Sequence, residues 1–179
     1  MEDLLELLKT LHDDVEKSIQ ELNEPGCDFG YRSRTYLRAY ASWVEGSIFV
    51  IKEAIRKIEY QWHTELPIAS QLYLFEYDMR IGSSGKPVIE SKKIGTKVNL
   101  KALFYLCSEL FKEFQVDIGV VEWESVMHFY KIRDRMMHPN SLAGVSYTKD
   151  DILKCDKGRL WLKKIFVDIH SQINAKIPA

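Results

Sequence analysis

Lys131-Ile-Arg-Asp-Arg-Met-Met-His-Pro-Asn140 reads as the end of a helix. Pro139 closes it, because the ring of a proline drives the preceding residue out of the helical region. Upstream, Trp123, Val126, Met127, Tyr130 and Met137 fall on one apolar side, and the spacing predicts a fifth helix over Trp123–Met137. Beyond the proline, Thr148 followed by Asp151 has the form of a capping box and opens a last helix running to about Ile173.

The chain before this stretch carries the same period. Leu4, Leu5, Leu8, Leu11, Val15, Ile19 and Leu22 recur among acids and lysines, so a first amphipathic helix ends near Pro25-Gly26. A second helix from about Tyr31 to about His63 has no proline, and small residues (Ala39, Ala41, Ser42, Gly46, Ser47) line it where another helix can come close. At about 1.5 Å per residue such a helix is the spine of the domain. Leu66 to Phe75 is a short helix with Pro67 in its first turn. The period then changes between Tyr77 and Val98, where Gly82-Ser-Ser-Gly85, Lys86-Pro87 and alternating Val88-Ile-Glu-Ser indicate a β-hairpin or a loop. Asn99 is placed to cap a fourth helix facing the core with Leu103, Leu106, Cys107, Leu110, Phe111 and Phe114. No repeat or linker divides the sequence. The expectation is one all-α domain over residues 1–179, an antiparallel up-and-down bundle of about five to six helices with a small hairpin or loop inserted at about 77–98.

With 179 residues the chain is long enough to bury a core without disulfides or metal staples. Its 46% apolar and 28% charged residues are those of a globular protein, and a net charge of −1 supplies no general basic field for nucleic acid. Any RNA role requires a local basic patch. Cys27, Cys107 and Cys155 are widely spaced with no CxxC pair, which fits a reducing compartment better than a disulfide framework or a zinc site. The start Met1-Glu-Asp-Leu-Leu-Glu is acidic, unlike a secretory signal, and no apolar run approaches the roughly 20 residues of a membrane helix. A cytoplasmic protein that does not enter a membrane is expected.

Most catalytic patterns are missing. There is no HExxH, GxxxxGK or GxSxG, no set of ligands at metal spacing, and no implied cofactor. His12, His63 and His170 read as ordinary surface histidines, and Glu124 with His128, four apart, as a helix-surface pair. Arg133 and His138 are different, because they combine a phosphate-clamping fork with a group that exchanges protons near neutral pH. Each also has a structural reading. His138 can satisfy helix-end carbonyls and the macrodipole, and Arg133 can pair with Asp134, Glu45 or Asp117.

In Arg133-Asp-Arg-Met-Met-His138 the chain resembles the HEPN family, whose motif is R-x4-6-H, often with Asn, Asp or His directly after the arginine. Trp123 ten residues upstream, Pro139 after the histidine and the run Arg34-Thr-Tyr-Leu-Arg-Ala-Tyr-Ala-Ser-Trp-Val-Glu45-Gly extend the resemblance over nearly the whole chain. It implies a helical core that forms a homodimer, with the two motifs facing each other across one cleft. Many members are metal-independent endoribonucleases of toxin, abortive-infection or other defence systems, some with a cognate antitoxin. Others are non-catalytic modules that bind nucleotide or RNA or serve assembly. Toxins paired with a nucleotidyltransferase antitoxin often carry Tyr two residues after the histidine; Asn140 stands there in this chain, which sets it apart from that subgroup.

Carried over residue by residue, the resemblance makes Arg133 and His138 the catalytic candidates and Asp134 a polar supporter. Glu45 is either solvent-facing or turned toward a polar cleft, and Arg38, seven residues before it, shares its helix face; both are expected as neighbours of the site. Lys131 and Arg135 are solvated charges or contacts to an RNA backbone. Residues five apart lie about 140° apart on an ideal helix, so Arg133 and His138 converge only through the arginine's reach, a loosened last turn, or a partner copy.

Overall fold

The computed structural model describes residues 2–62 and 66–176. Among these residues the chain forms six α-helices and one two-stranded antiparallel sheet: α1 Glu2–Leu22, α2 Phe29–Trp62, α3 Ile68–Leu74, β1 Tyr77–Ile81, β2 Pro87–Ser91, α4 Thr96–Leu110, α5 Val121–Met137 and α6 Lys149–Lys176. A single 3-10 turn, Leu142–Val145, bridges α5 and α6. The all-α bundle with an inserted hairpin is thus the observed architecture. His63, where the sequence puts the end of the spine helix, lies outside the described residues.

Helix α2 runs through the middle, and Tyr36, Leu37, Tyr40, Val44, Ile48, Ile51 and Ile55 on it are fully buried. Its pairing with α1 is antiparallel, from Arg32 bonded to Glu21 near the turn to Leu11 seated at Gly46. A Cβ on Gly46 would stand 2.3 Å from Leu11 Cδ1, so the small residue admits α1 of the same chain. The α5–α6 pairing is also antiparallel and closer. A Cβ on Gly158 of α6 would lie 2.7 Å from the Val126 backbone nitrogen, which leaves space there only for a hydrogen. Tyr40 of α2 stacks on Phe129 of α5, with centroids 3.8 Å apart. No helix among the described residues is long and apolar enough to cross a membrane.

The hairpin is almost wholly exposed, with Tyr77 opposite Ser91 and Ile81 opposite Pro87. Its base is clamped from α2. Lys52, only 2% exposed, donates to Glu76 Oε1 at 2.9 Å and lies 4.1 Å from the Tyr73 ring centroid, while Arg56 bonds to the Leu74 carbonyl. Two alternating five-residue strands therefore project from a helical frame that already buries its own apolar faces.

Three local expectations need correction. Helix α4 starts at Thr96 behind an extended Gly95, and Asn99 is not its cap. The Tyr73 hydroxyl instead donates to both the Asn99 carbonyl and its Oδ1 at 2.8 Å, which uses Asn99 to hold α3. On α5 the inward row is Phe129, Ile132 and Met136, so Met137 is exposed. Trp123 and Tyr130 are buried as well, and only at the last turn does Met136, one position back, take the inward place from Met137. His170 is half-buried rather than an ordinary surface histidine: burial lowers its pKa, and it lines an apolar groove with Trp43 and Phe166. The capping box is as expected, with Asp151 N–H donating to Thr148 Oγ1 and Thr148 N–H to Asp151 Oδ2, both at 3.1 Å.

Candidate functional site at the end of helix α5

The last two turns of α5 keep Ile132 and Met136 in the core and turn Arg133, Asp134, Arg135, Met137 and His138 away from it. The Arg133 guanidinium donates from Nη2 to Glu45 Oε1 of α2 at 2.8 Å and from Nη1 to Asp134 Oδ1 at 3.3 Å. Glu45 also accepts from Thr96 Oγ1 at 3.3 Å, at the start of α4. One carboxylate therefore ties three helices together at the surface. The Glu45 side chain is 48% exposed, so it faces solvent while it bonds Arg133.

Beside this knot is a cleft of about 260 Å³ between the first turn of α4 and the end of α5, lined by Thr96, Lys97, Tyr130, Arg133 and Asp134 among others. Lys97 Nζ stands 3.7 Å from Asp134 Oδ2 and 5.9 Å from the centroid of Tyr130. The Tyr130 hydroxyl is buried and has no hydrogen-bond partner among the described residues. Burial raises its pKa well above the ordinary range, and the negative charges of Glu45 and Asp134 push the same way against Arg133, so the phenol stays protonated and can only donate or accept a hydrogen bond.

His138 is the C-cap of α5, with φ −129° and ψ 62°, and its backbone N–H reaches the Asp134 carbonyl at 3.2 Å. Its side chain is exposed and makes no hydrogen bond among the described residues. Arg133, Asp134 and Glu45 are thus brought together in one cluster, and His138 sits at the same helix end, off the helical dihedrals. Asp117 is elsewhere and accepts from the Gly119 N–H. Lys131, Arg135 and Arg38 are exposed and lie outside the Arg133 cluster. Arg135 is about 200° from Arg133 around the helix.

Sequence reasoning misses Thr96, Lys97 and the role of Tyr130. Lysine and threonine at a loop–helix junction carry no signal of what packs beside them, and Tyr130 has the spacing of one more core aromatic. It also mispairs His128, whose Nε2 is 2.9 Å from Asp151 Oδ1 of α6 rather than bonded to Glu124. The capping box orients that Asp151, so the pair rests on a rigid frame. Among the described residues, no group of three or more His, Cys, Asp or Glu side chains is placed to hold a metal ion. No protein-family model, curated protein or solved structure matches the chain.

Proposed function

We propose that this chain is a HEPN-like, metal-independent endoribonuclease that cleaves single-stranded or looped RNA, with Arg133 and His138 as its reacting pair. The observation that supports this most is the fixed, partly exposed guanidinium of Arg133 at a cleft mouth, about a turn and a half from an exposed and unbonded His138. In the reaction, an imidazole nitrogen takes the proton of a ribose 2′-OH as that oxygen attacks the adjacent phosphorus. The phosphorus–5′-oxygen bond breaks, and the leaving oxygen takes a proton. The products are a 2′,3′-cyclic phosphate and a free 5′-OH. Arg133 supplies charge to the phosphate oxygens in the transition state, and histidine suits both proton transfers.

Two such helix ends facing each other in a homodimer would place one copy's His138 beside the other's Arg133. This relieves the roughly 140° separation within a single helix. The defence role, and any antitoxin that would mask the site, belong to the same proposal.

One observation favours a second reading, a non-catalytic RNA- or nucleotide-binding module. Glu45 and Asp134 already bond Arg133, which offsets its charge. Cleavage of a labelled RNA in excess EDTA separates the two. Wild-type protein is expected to release cyclic-phosphate and 5′-OH ends, identified by mass spectrometry, and His138→Ala to slow release by roughly 10²- to 10⁴-fold. A 5′-phosphate product, or equal rates in the two proteins, would sink the ribonuclease assignment.

A further inference from the structure

The register of the hairpin sorts its side chains into two unlike faces. Directly opposed residues of an antiparallel pair point to the same side, so Tyr77 with Ser91, Met79 with Ile89 and Ile81 with Pro87 share one face. The other face holds Asp78 with Glu90 and Arg80 with Val88. Its charges are satisfied within the hairpin. Arg80 donates to Glu90 from Nε at 3.1 Å and from Nη2 at 2.5 Å, and Lys92 Nζ donates to Asp78 Oδ2 at 2.8 Å. The first face carries no charge at all. Phe75 continues it, with its ring stacked on that of Tyr77, centroids 6.1 Å apart and planes 14° apart. Phe75, Tyr77, Met79, Ile81 and Ile89 are between 46% and 65% exposed, so no described residue covers this face. Alternation of this kind ordinarily marks a strand with its apolar side against a core. A two-stranded sheet is also marginal in water until a further strand or a packed face supports it.

We infer that this face, centred on Met79 and Ile89, docks a second copy of the chain, the two hairpins packing apolar side to apolar side about a two-fold axis. Such a contact uses one patch twice and needs no opposite charge across it. The area is sufficient. Five large residues about half exposed offer on the order of 500 Å² per copy, so two copies face to face would bury about 1,000 Å², the least that a specific interface needs. An uncharged centre is also the composition of homodimer interfaces rather than of transient ones. A lipid surface is the other apolar acceptor, but headgroups are read by clusters of about four to eight cations. Of the cations between Tyr77 and Lys93, only Lys86 and Lys93 make no ion pair among the described residues. The face shares no residue with the cleft beside Arg133, and the inference stands whether or not the chain cuts RNA.

The test is the mass in solution, by light scattering during gel filtration, joined to a cross-link that locates the contact. Wild-type protein at tens of micromolar should give twice the 20.9 kDa of one chain. Met79→Lys/Ile89→Lys should give the mass of one chain with unchanged helical circular dichroism, because both side chains lie outside the core. Lys86→Gln/Lys93→Gln should leave the dimer intact. For the cross-link, the partly exposed Cys27 is replaced by serine and Ile89 by cysteine; Cys107 and Cys155 are buried. A bismaleimide spanning roughly 10 Å, the separation of packed sheets, should then join two copies through position 89. The same reagent should leave Cys27→Ser/Lys57→Cys, altered at an exposed position on α2, unjoined.

A monomeric wild type overturns the inference, and sedimentation of that monomer with phosphatidylserine vesicles would assign the face to a lipid surface instead. A dimer that survives Met79→Lys/Ile89→Lys also overturns it and leaves the contact between α5 ends to account for the mass. Cross-linking through position 57 as readily as through position 89 does the same. Should the lysine pair lose helicity, the cross-link decides by itself: joining specific to position 89 upholds the interface, and its absence removes it.

Discussion

Arg159 and Arg133 each hold two carboxylates, and the likeness ends there. The Arg159 side chain is 5% exposed, bonded from Nη1 to Glu16 of α1 at 2.8 Å and from Nε to Asp156 at 2.6 Å. Asp156 also lies 3.3 Å from the Tyr36 hydroxyl of α2, so this one cation joins three helices inside the bundle. The Arg133 side chain is 27% exposed, and its partners Glu45 and Asp134 are about half exposed. A buried pair is costly to break because the surviving charge cannot return to water, whereas an exposed pair is nearly exchangeable with solvent. The first arrangement specifies how α1, α2 and α6 pack. The second adds little to folding.

The comparison is most strongly broken at Arg159. Arg159→Met should lower unfolding free energy by about 3 kcal/mol, near the lower end for a severed buried pair because Glu16 and Asp156 keep some solvent. Urea melts measure it, and a decrease below about 1 kcal/mol would put Arg159 in the same class as Arg133. The pH dependence carries the sign. Burial alone would raise the Glu16 pKa, but hydrogen bonds and charge from Arg159 and Lys163 prevail and hold it below its ordinary value. A carboxylate depressed in the folded state contributes stability above its unfolded pKa and loses it as pH falls through the folded one. Wild type should therefore lose this part of its stability on acidification below the ordinary glutamate range, and Arg159→Met should show a flatter acid limb.

Next in size is Gly158→Ala. The new methyl would meet the α5 backbone at 2.7–2.9 Å, and backbone cannot rotate aside as a side chain can. Helices α5 and α6 must part, at a cost of about 1–3 kcal/mol. Because α5 carries the site, its displacement should also disturb the Arg133–Glu45 contact. An unchanged melting midpoint would mean that the interface yields more easily than this close approach implies.

The two arginines also mark what is legible in the sequence. Helical period, Pro139 and the Thr148–Asp151 box locate α5 and α6 to within two or three residues, because each is a local signal. Asp134 and Glu45 both stand among the partners that the sequence offers Arg133, and both bond it. Arg159 cannot be read this way, since nothing in Lys157-Gly-Arg159 says that its partner is Glu16, far back in the chain. Gly158 is opaque for the same reason: a glycine in a helix looks like a weakness until the backbone behind it is placed. The Asn99 cap and the inward Met137 fail because tertiary contacts with Tyr73 and the Phe129–Ile132–Met136 face outweigh local preference.

The smallest expected effect on stability is at Arg133 itself. Arg133→Gln removes an exposed pair with Glu45 and a poorly extended one with Asp134, and should cost no more than about 1 kcal/mol. Glutamine retains hydrogen-bonding ability toward Glu45, and that carboxylate, half in water, needs no replacement cation. The helical circular dichroism and the cooperativity of unfolding should match wild type. Under the ribonuclease reading the same variant should no longer cleave, because a neutral amide cannot stabilise the charge growing on phosphate. Intact stability without cleavage would separate function from fold at this residue. A decrease of about 3 kcal/mol, the size expected of a severed buried pair, would show instead that the Glu45–Arg133 contact holds α2, α4 and α5 together as Arg159 holds the interior. The candidate site would then be a second structural clamp.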